Sequence, residues 1–374
     1  MNADDIRPLF DLPDHVAYMA CAAQSPIPKA THAAGLRGLE RKRRPWEALD
    51  HAVLRQESEA CRALFAGLIG AGAEDIALVP ATSYGIATAA ANLPLAAGQA
   101  VLVLEQQFPS NYYAWQAKAA DAGAALKVVP RPADSDWTAA VLAALTPEVA
   151  IAALPASHWT DGASLDLVAI GQACRAVGAA LAIDATQYIA AAPFDVAAVR
   201  PDFLVASGYK WLLCPYTTSF LYVAPWRQDG RPLEHHAGGR AGGEGSYSDR
   251  FAPGARRFDV GERFNHINLP MAETSLRLVS GWGPAAVAAA LRPLTDRVAE
   301  LAQERGWSVP PAGRRVAHYI GMRRAEPFPA ALEAGLAARD IHISMRGGGI
   351  RVSPYLFGRV EEVDRLFAAL DALA

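Results

Sequence analysis

Cysteine is scarce in this sequence and never occurs in closely spaced pairs. The four residues Cys21, Cys61, Cys174 and Cys214 are scattered, without a Cys-x-x-Cys motif. Zinc sites and disulfide frameworks require such pairing, so we expect neither a metal site nor a disulfide scaffold. The acidic start also lacks the apolar core of a signal peptide, which favours a reducing, cytoplasmic location.

Long apolar runs and blocks of one charge are missing as well. No apolar run approaches the roughly 20 residues that a membrane-spanning helix needs. The net charge is −3, and the single basic cluster, residues 41–44, suits the solvated end of a helix. The sequence therefore predicts neither a membrane nor a nucleic acid as a partner.

Short apolar runs alternate with helical stretches along most of the chain. Strands are predicted at residues 76–80, 101–105, 126–130, 149–154, 180–184, 202–206 and 219–223. Helices are predicted at residues 47–69, 137–145, 165–177 and 270–290, with a break at Pro284 in the last. This alternation is typical of a largely parallel sheet flanked by helices. A chain of 374 residues is long enough for that core and a second domain.

A lysine between two aromatic residues follows one of the predicted strands. Residues 207–211 read Ser-Gly-Tyr-Lys-Trp, directly after the apolar run 202–206. An ammonium group that loses hydration among apolar groups has a lowered pKa, and a neutral amine can form a Schiff base with a carbonyl. Lys210 is therefore a candidate nucleophile, although the motif alone also fits a surface lysine just past a strand.

An acidic residue ends the preceding strand. Asp184 precedes Lys210 by 210 − 184 = 26 residues, about the length of one crossover between parallel strands. Ligands of open α/β sheets bind outside the carboxyl ends of the strands, so we expect both side chains in one crevice. Pyridoxal phosphate requires this pair, because its aldehyde reacts with a lysine and its ring nitrogen needs an acidic partner.

Three motifs in order resemble the class V aminotransferase family of pyridoxal-phosphate enzymes, whose relatives include cysteine desulfurases, kynureninases and an epimerase branch. They are residues 157–162 (Ser-His-Trp-Thr-Asp-Gly), residues 184–187 (Asp-Ala-Thr-Gln) and residues 207–211. The resemblance implies the α/β architecture called fold type I, with a mostly parallel seven-stranded sheet in the large domain.

The resemblance also implies how the chain is divided and assembled. The large cofactor-binding domain would comprise residues 18–279, and the small α+β domain would comprise residues 1–17 and 280–374. The expected assembly is a homodimer, in which residues 238–265 reach towards the partner subunit's site. The glycine-rich part of that segment is not a dinucleotide fingerprint, because no strand precedes it.

The family's ring-binding and catalytic roles carry over to five residues. Lys210 would carry the Schiff base and later shuttle protons, and Asp184 would pair with the ring nitrogen. Gln187 would bond the ring hydroxyl oxygen. His158, as a further catalytic residue, and Asp161, as a cofactor contact, would lie near that side of the ring.

Further contacts are implied for the cofactor phosphate, the ring face and the substrate. Phe108 would stack on the ring. Arg351 would bind the substrate α-carboxylate through two parallel hydrogen bonds from its guanidinium. By pattern alone Arg351 also fits a surface salt bridge. The phosphate would be held by Thr82, Ser83, Ser207 and Tyr209. Thr82 and Ser83 are equally suited to capping the helix that follows them.

These residues favour amino transfer from a small amino acid to an oxo acid. The alternative is a lyase, of the kynureninase or C–S type, or an epimerase that uses the same cofactor. A desulfurase is disfavoured because Phe108 occupies the place of a proton-moving histidine and no cysteine follows Cys214. A non-catalytic cofactor sensor is disfavoured because the chain carries no DNA-binding segment.

Overall fold

An α/β arrangement organises the chain, which this computed structural model describes over residues 1–48, 50–243 and 247–373. The strands are β1 (Ala17–Tyr18), β2 (Ile76–Val79), β3 (Ala100–Leu104), β4 (Ala125–Val129), β5 (Val149–Pro155), β6 (Ala180–Asp184), β7 (Phe203–Ser207), β8 (Ser219–Val223), β9 (Ile320–Met322), β10 (Ile341–His342), β11 (Ser344–Arg346) and β12 (Gly349–Val352). The helices are α1 (Ala3–Ile6), α2 (Lys29–Arg43), α3 (Pro45–Ala48), α4 (His51–Ile69), α5 (Thr82–Asn92), α6 (Tyr113–Ala122), α7 (Trp137–Ala144), α8 (Leu167–Val177), α9 (Val196–Val199), α10 (Asn268–Trp282), α11 (Pro284–Glu304), α12 (Leu332–Ala337) and α13 (Val360–Leu373).

The central sheet has seven strands in the order β2-β8-β7-β6-β5-β3-β4. Strands β3 to β7 pair in parallel, whereas β8 lies antiparallel between β2 and β7. Strands β3, β6 and β7 are buried along their whole length, as expected when helices cover both faces of a parallel sheet. The predicted fold class, with its mostly parallel seven-stranded sheet, is confirmed.

The predicted helix over residues 47–69 begins later than expected. The carboxylate of Asp50 accepts a hydrogen bond from the N–H of Ala52 at 2.7 Å, and this cap starts α4 at His51. Residues 45–48 form the separate short helix α3. Leu49, near the start of the predicted range, lies outside the described residues, and Val53 is exposed.

A smaller sheet forms in the C-terminal part of the chain, with antiparallel strands in the order β11-β12-β9. It shares an apolar cluster with α12, α13 and the second half of α11. Strand β1 pairs in parallel with β10, which brings the N-terminal segment to this region. Helix α11 contributes Leu291 to the core of the central sheet and Val298 to the smaller cluster. The domain boundary between residues 279 and 280 stays a prediction.

The predicted break at Pro284 is confirmed. Helix α10 ends at Trp282, Gly283 adopts a φ of 78°, and Pro284 opens α11. Proline suits the first position of a helix because its missing N–H would have no partner there. Among the described residues no helix combines the length and apolar character needed to cross a membrane.

Candidate active site

The predicted lysine and acid meet where two parallel strands end. Asp184 is the last residue of β6 and pairs in register with Val205 of β7. Lys210 follows β7 by three residues. Both side chains line a cleft of about 300 Å³ at the carboxyl edge of the central sheet, which is where ligands of open α/β sheets bind.

Lys210 is almost fully removed from water, with 5% of its surface exposed. Its Nζ atom lies 5.4 Å from the ring centroids of both Phe108 and Tyr209. This burial, together with the charge of Arg351, lowers the pKa of Lys210 to about 8, although Asp184 acts in the opposite direction. A sizeable fraction of the amine is therefore neutral and nucleophilic near neutral pH.

Asp184 is a buried carboxyl without a basic partner. Its Oδ1 accepts a hydrogen bond from the N–H of Thr186 at 3.0 Å, and burial raises its pKa. No basic side chain in the described ranges forms an ion pair with it. A buried carboxylate is costly unless a cation or hydrogen-bond donor meets it. A ligand that presents a cationic or N–H group in the cleft would supply that partner.

Hydroxyl groups cluster at the N-terminus of α5. The Oγ1 atom of Thr82 lies 2.8 Å from Thr186 Oγ1 and 2.7 Å from Ser207 Oγ. No side chain caps this helix, so its first N–H groups remain available to a ligand. At Gly85, a Cβ atom would lie 2.6 Å from Val205 Cγ2, so glycine lets the helix approach β7 closely. Such hydroxyls and open N–H groups are suited to bind a phosphate.

The other two predicted phosphate contacts, Ser83 and Tyr209, also line the cleft. The ring of Tyr209 stacks on Tyr216 with centroids 4.2 Å apart and an interplanar angle of 15°. Partial burial raises the pKa of Tyr209, so its hydroxyl stays protonated and can donate a hydrogen bond. Ser83, Tyr209 and the hydroxyl cluster therefore meet in one cleft.

Aromatic side chains form another part of the cleft wall. Phe108 follows β3 and meets Trp159 edge to face, with ring centroids 5.3 Å apart. The indole Nε1 of Trp159 donates to the carbonyl of Gln106 at 2.7 Å, which fixes the ring. Phe108 thus lies at a cleft wall, as its predicted stacking role requires.

The amide of Gln187 is held from both ends. Its Oε1 accepts from Trp211 Nε1 at 2.9 Å, and its Nε2 donates to the carbonyl of Ala22 at 2.8 Å. The amide nitrogen has a second hydrogen, which is available to the cleft that Gln187 lines. This geometry is compatible with the predicted contact to a ring oxygen.

His158 lies behind the cleft wall rather than among its lining residues. It is fully buried and stacks on Trp137, with centroids 5.1 Å apart and an interplanar angle of 2°. Its ring nitrogens lie 3.0 Å from the carbonyl of Glu105 and 2.8 Å from Thr160 Oγ1. Burial lowers the pKa of His158 to about 4. The catalytic role of His158 stays a prediction.

Asp161 also lies outside the cleft lining. Its carboxylate forms an ion pair with Arg131 and accepts from the N–H of Ala163. Asp161 is therefore held within the turn, and its contact with the cofactor ring stays a prediction. Together with His158, it stabilises the turn that carries Trp159 into the cleft.

Arg351 is buried beside the same turn. Its Nη1 donates to the carbonyl of Trp159 at 2.7 Å and its Nε to Ser344 Oγ at 3.2 Å. Burial lowers the pKa of Arg351 to about 10, so it remains a cation at neutral pH. Its charge acts on Lys210, although Arg351 itself is not among the lining residues.

Ten lining residues had no role predicted from the sequence, among them Thr186, Trp159, Tyr216 and Thr217. The first two fall within recognised motifs, so their position beside assigned residues was the available signal. Tyr216 and Thr217 lie in the loop after Lys210, where Thr217 has a φ of 58°. Nothing in the sequence pattern predicts that backbone conformation for a β-branched residue.

The sequence model of the family described as aminotransferase class-V matches residues 44–366. The chain belongs to this family. An uncharacterised aminotransferase, YcbU of Bacillus subtilis (strain 168), is 26% identical over 333 residues, covering 85% of this chain and 84% of the relative. The isopenicillin N epimerase of Streptomyces clavuligerus is 27% identical over 341 residues, covering 86% and 85%.

Solved structures agree with this assignment at the level of the fold. The apo structure of a cysteine desulfurase from Thermococcus onnurineus NA1 superimposes with a TM-score of 0.86 at 19% identity, covering 100% of this chain and 98% of that one. The chain is an enzyme of the class V family, and pyridoxal 5′-phosphate is its cofactor.

The cleft fits this cofactor. Lys210 offers the amine, Asp184 offers an acidic partner for the ring nitrogen, and the hydroxyls around Thr82 offer a phosphate site. Over the described part of the chain no cluster of His, Cys, Asp or Glu side chains could hold a metal ion. All four cysteines are buried, and none lines the cleft.

Proposed function

We propose that this enzyme transfers the amino group of a small amino acid to an oxo acid. The observation that carries the proposal is the set of side chains around the cleft. Among the lining residues that the structure describes, Lys210 is the sole basic group, and no histidine or thiol accompanies it. One amine that both accepts and returns a proton is sufficient for transfer.

The residues that line the cleft would take distinct parts in that reaction. When bound, pyridoxal phosphate supplies a carbonyl for the amino nitrogen and a ring that accepts electrons. Asp184 would hold the proton on the ring nitrogen, and Thr82 with its neighbours would hold the phosphate. Lys210 would take the proton from the substrate α-carbon. Phe108 and Trp159 would exclude water from the cleft without moving protons themselves.

The size of the cleft supports a small substrate. Ligand pockets typically measure about 300–1,000 Å³, and this cleft, at about 300 Å³, lies at the lower end. The cofactor takes up much of that space. Little room is left for a substrate with a large side chain.

The environment of the thiols disfavours desulfurase chemistry. A thiol attacks as its thiolate, which requires a low pKa and access to the substrate. Burial raises the pKa of Cys21 to about 12 and that of Cys174 to about 12, and it raises the pKa values of Cys61 and Cys214 as well. None of these groups is suited to accept sulfur from a substrate.

A single-turnover experiment tests amino transfer. The holoenzyme is mixed with an amino acid in the absence of any oxo acid, and the cofactor is extracted and quantified. We expect one equivalent of pyridoxamine phosphate per active site, and its loss when an oxo acid is added. The Lys210→Ala variant should give none, whereas the exposed control Lys42→Ala should match the wild type.

Two other outcomes would replace the proposal. Continuous release of ammonia, alanine or another fragment without an oxo acid would identify a lyase. Accumulation of the opposite enantiomer of the amino acid, with the cofactor unchanged, would identify an epimerase, the activity named for one of the relatives.

A further inference from the structure

Two arginines project from the same face of the small sheet. In the antiparallel pairing of β11 with β12, Ser344 lies opposite Arg351 and Arg346 lies opposite Gly349. Opposed residues, and residues two apart on one strand, share a face of a sheet. The hydrogen bond of 3.2 Å from Arg351 Nε to Ser344 Oγ agrees with this register.

That face packs against the turn behind the aromatic wall of the cleft. Gly321 of β9 lies opposite Arg351, and a Cβ atom there would lie 2.5 Å from Asp161 Cα and 2.6 Å from the carbonyl oxygen of Thr160. Arg351 also donates to the carbonyl of Trp159. Glycine at position 321 therefore brings the sheet close to the turn that carries Trp159 into the cleft.

Neither arginine on this face has an acidic partner. The guanidinium of Arg346 donates through Nη1 to the carbonyl of Met345 at 2.7 Å. Arg351 donates through Nε and Nη1 to neutral oxygens. In the described ranges neither forms an ion pair with a carboxylate, whereas nearby Arg131 pairs with Asp161. Arg346 is half-buried and Arg351 is buried, and unpaired buried cations are costly unless an anion meets them.

Both charges lie near the reacting amine. The positive charges of Arg351 and Arg346 each lower the pKa of Lys210, and the charge of Arg346 also lowers the pKa of Arg351. Arg346 also lies on the same face of the small sheet as Arg351, so both guanidiniums can serve one bound molecule. Lys210 in the cleft and the two arginines on the sheet behind its wall favour a substrate that carries more than one negative charge.

We infer that the substrate is a dicarboxylic amino acid, or the oxo acid derived from it, whose two carboxylates bind Arg351 and Arg346. Arg351 takes the α-carboxylate and Arg346 takes the carboxylate of the side chain. The inference rests on the proposed amino transfer and adds the substrate class to it.

The spacing of the two arginines suits a small dicarboxylate. Arg346 is the diagonal neighbour of Arg351 across the strand pair, and such neighbours have Cα atoms roughly 7–8 Å apart. Two flexible arginine side chains from these positions can reach the ends of a four- or five-carbon chain. Each planar guanidinium can meet a carboxylate with two parallel hydrogen bonds.

The test compares substrates in the half-reaction of the holoenzyme. The ratio of kcat/KM for L-glutamate, or for L-aspartate, to kcat/KM for L-alanine is measured in the wild type and in Arg346→Gln. Loss of one charged hydrogen-bonding partner should reduce this ratio about 10- to 100-fold. Arg346→Lys should retain part of the preference. Arg339→Gln, which removes an exposed charge from the same part of the chain, should keep the ratio within about twofold.

A binding measurement separates this inference from the proposed reaction. Succinate and propionate are titrated into the holoenzyme by calorimetry, and succinate should bind Arg346→Gln about 10- to 100-fold more weakly than the wild type. If no amino acid reacts but succinate binds in this way, amino transfer fails and the dicarboxylate site stands. If alanine reacts stoichiometrically and the ratio is unchanged in Arg346→Gln, amino transfer stands and the dicarboxylate site is wrong.

Discussion

Burial determines the reactivity of Lys210. With a pKa of about 8, the neutral fraction of its amine rises about tenfold per pH unit below that value and levels off above it. The rate at which the cofactor-free enzyme takes up pyridoxal phosphate should follow the same curve. Stopped-flow absorbance between pH 6 and about 10 at constant ionic strength measures it. A rate that still climbs steeply above pH 9 would show an unperturbed lysine.

The effect of Asp184 depends on whether the cofactor is present. Asp184→Asn removes the acidic partner of the ring nitrogen, and loss of one member of a buried ion pair costs about 3–5 kcal/mol. When this free-energy cost appears in the transition state, turnover falls roughly a hundred- to several-thousand-fold. Covalent attachment of the cofactor should persist because Lys210 is unchanged. Near-normal turnover would remove Asp184 from the mechanism.

The same variant should behave differently without cofactor. Because burial raises the pKa of Asp184, ionisation of this carboxyl destabilises the folded chain, and stability is lost as pH rises from the unfolded to the folded pKa. Asparagine cannot ionise. The free energy of unfolding of cofactor-free Asp184→Asn at pH 7 should therefore be at least equal to that of the wild type. Chemical denaturation measures this, and a clear loss of stability would assign the carboxylate a structural role.

At the level of elements, one buried ion pair joins α4, β2 and the segment after β8. Arg62 donates to Asp259 through Nη1 at 2.8 Å and Nη2 at 2.5 Å, and it also donates to the carbonyl of Ile76 at 2.6 Å. Asp259 Oδ1 accepts from the N–H of Leu78 at 2.9 Å. The side chains of Arg62 and Asp259 are 0% and 1% exposed. Water therefore cannot take the place of either one as the partner of the other.

Asp259→Ala should therefore lower the free energy of unfolding by about 3–5 kcal/mol, because it removes the buried partner of Arg62 and leaves that guanidinium only the half-exposed Glu59. Glu273→Ala is the matched control, since its pair with Arg277 joins one turn of a helix and is largely exposed on the arginine side. Such pairs contribute about 0.3–0.5 kcal/mol. Urea denaturation compares the two variants, and equal losses would contradict the account of the buried pair.

The elements that the sequence predicts well are those buried on both faces. The runs that became β6, β7 and β8 are short, apolar and bounded by polar or turn residues, so a local pattern identifies them. The surroundings of Arg351 could not be found in this way. Its contacts Ser344 and Trp159 come from a neighbouring strand and from a turn 192 residues away, and no local pattern encodes such contacts.

Packing also decides which residues of a motif line the cleft. His158 and Asp161 belong to a motif that local sequence associates with the cofactor, but their neighbours Ser157 and Trp159 are the residues that line the cleft. The distinction between lining a cleft and supporting its wall depends on the packing of Arg131 and Trp137 from elsewhere in the chain. Sequence motifs identify the turn without fixing which side chains face the ligand.

For the whole molecule, we expect a homodimer. The segment 238–265, part of which lies outside the described residues, carries Tyr247, whose side chain is fully exposed in a single chain. Tyr216, which lines the cleft, is 55% exposed. Light scattering should give twice the mass of one chain, and Tyr247→Asp should shift the equilibrium towards monomer on dilution. A monomer that is fully active at assay concentration would refute the dimer.

The central claim is that the cleft between Asp184 and Lys210 holds pyridoxal phosphate through the amine of Lys210. Reduction of the holoenzyme with borohydride, followed by proteolysis and peptide mass mapping, tests it most directly. We predict one phosphopyridoxyl group per chain, located on Lys210, and none in Lys210→Ala. A label on another lysine, or no label with cofactor in excess, would contradict the site and the mechanism built on it.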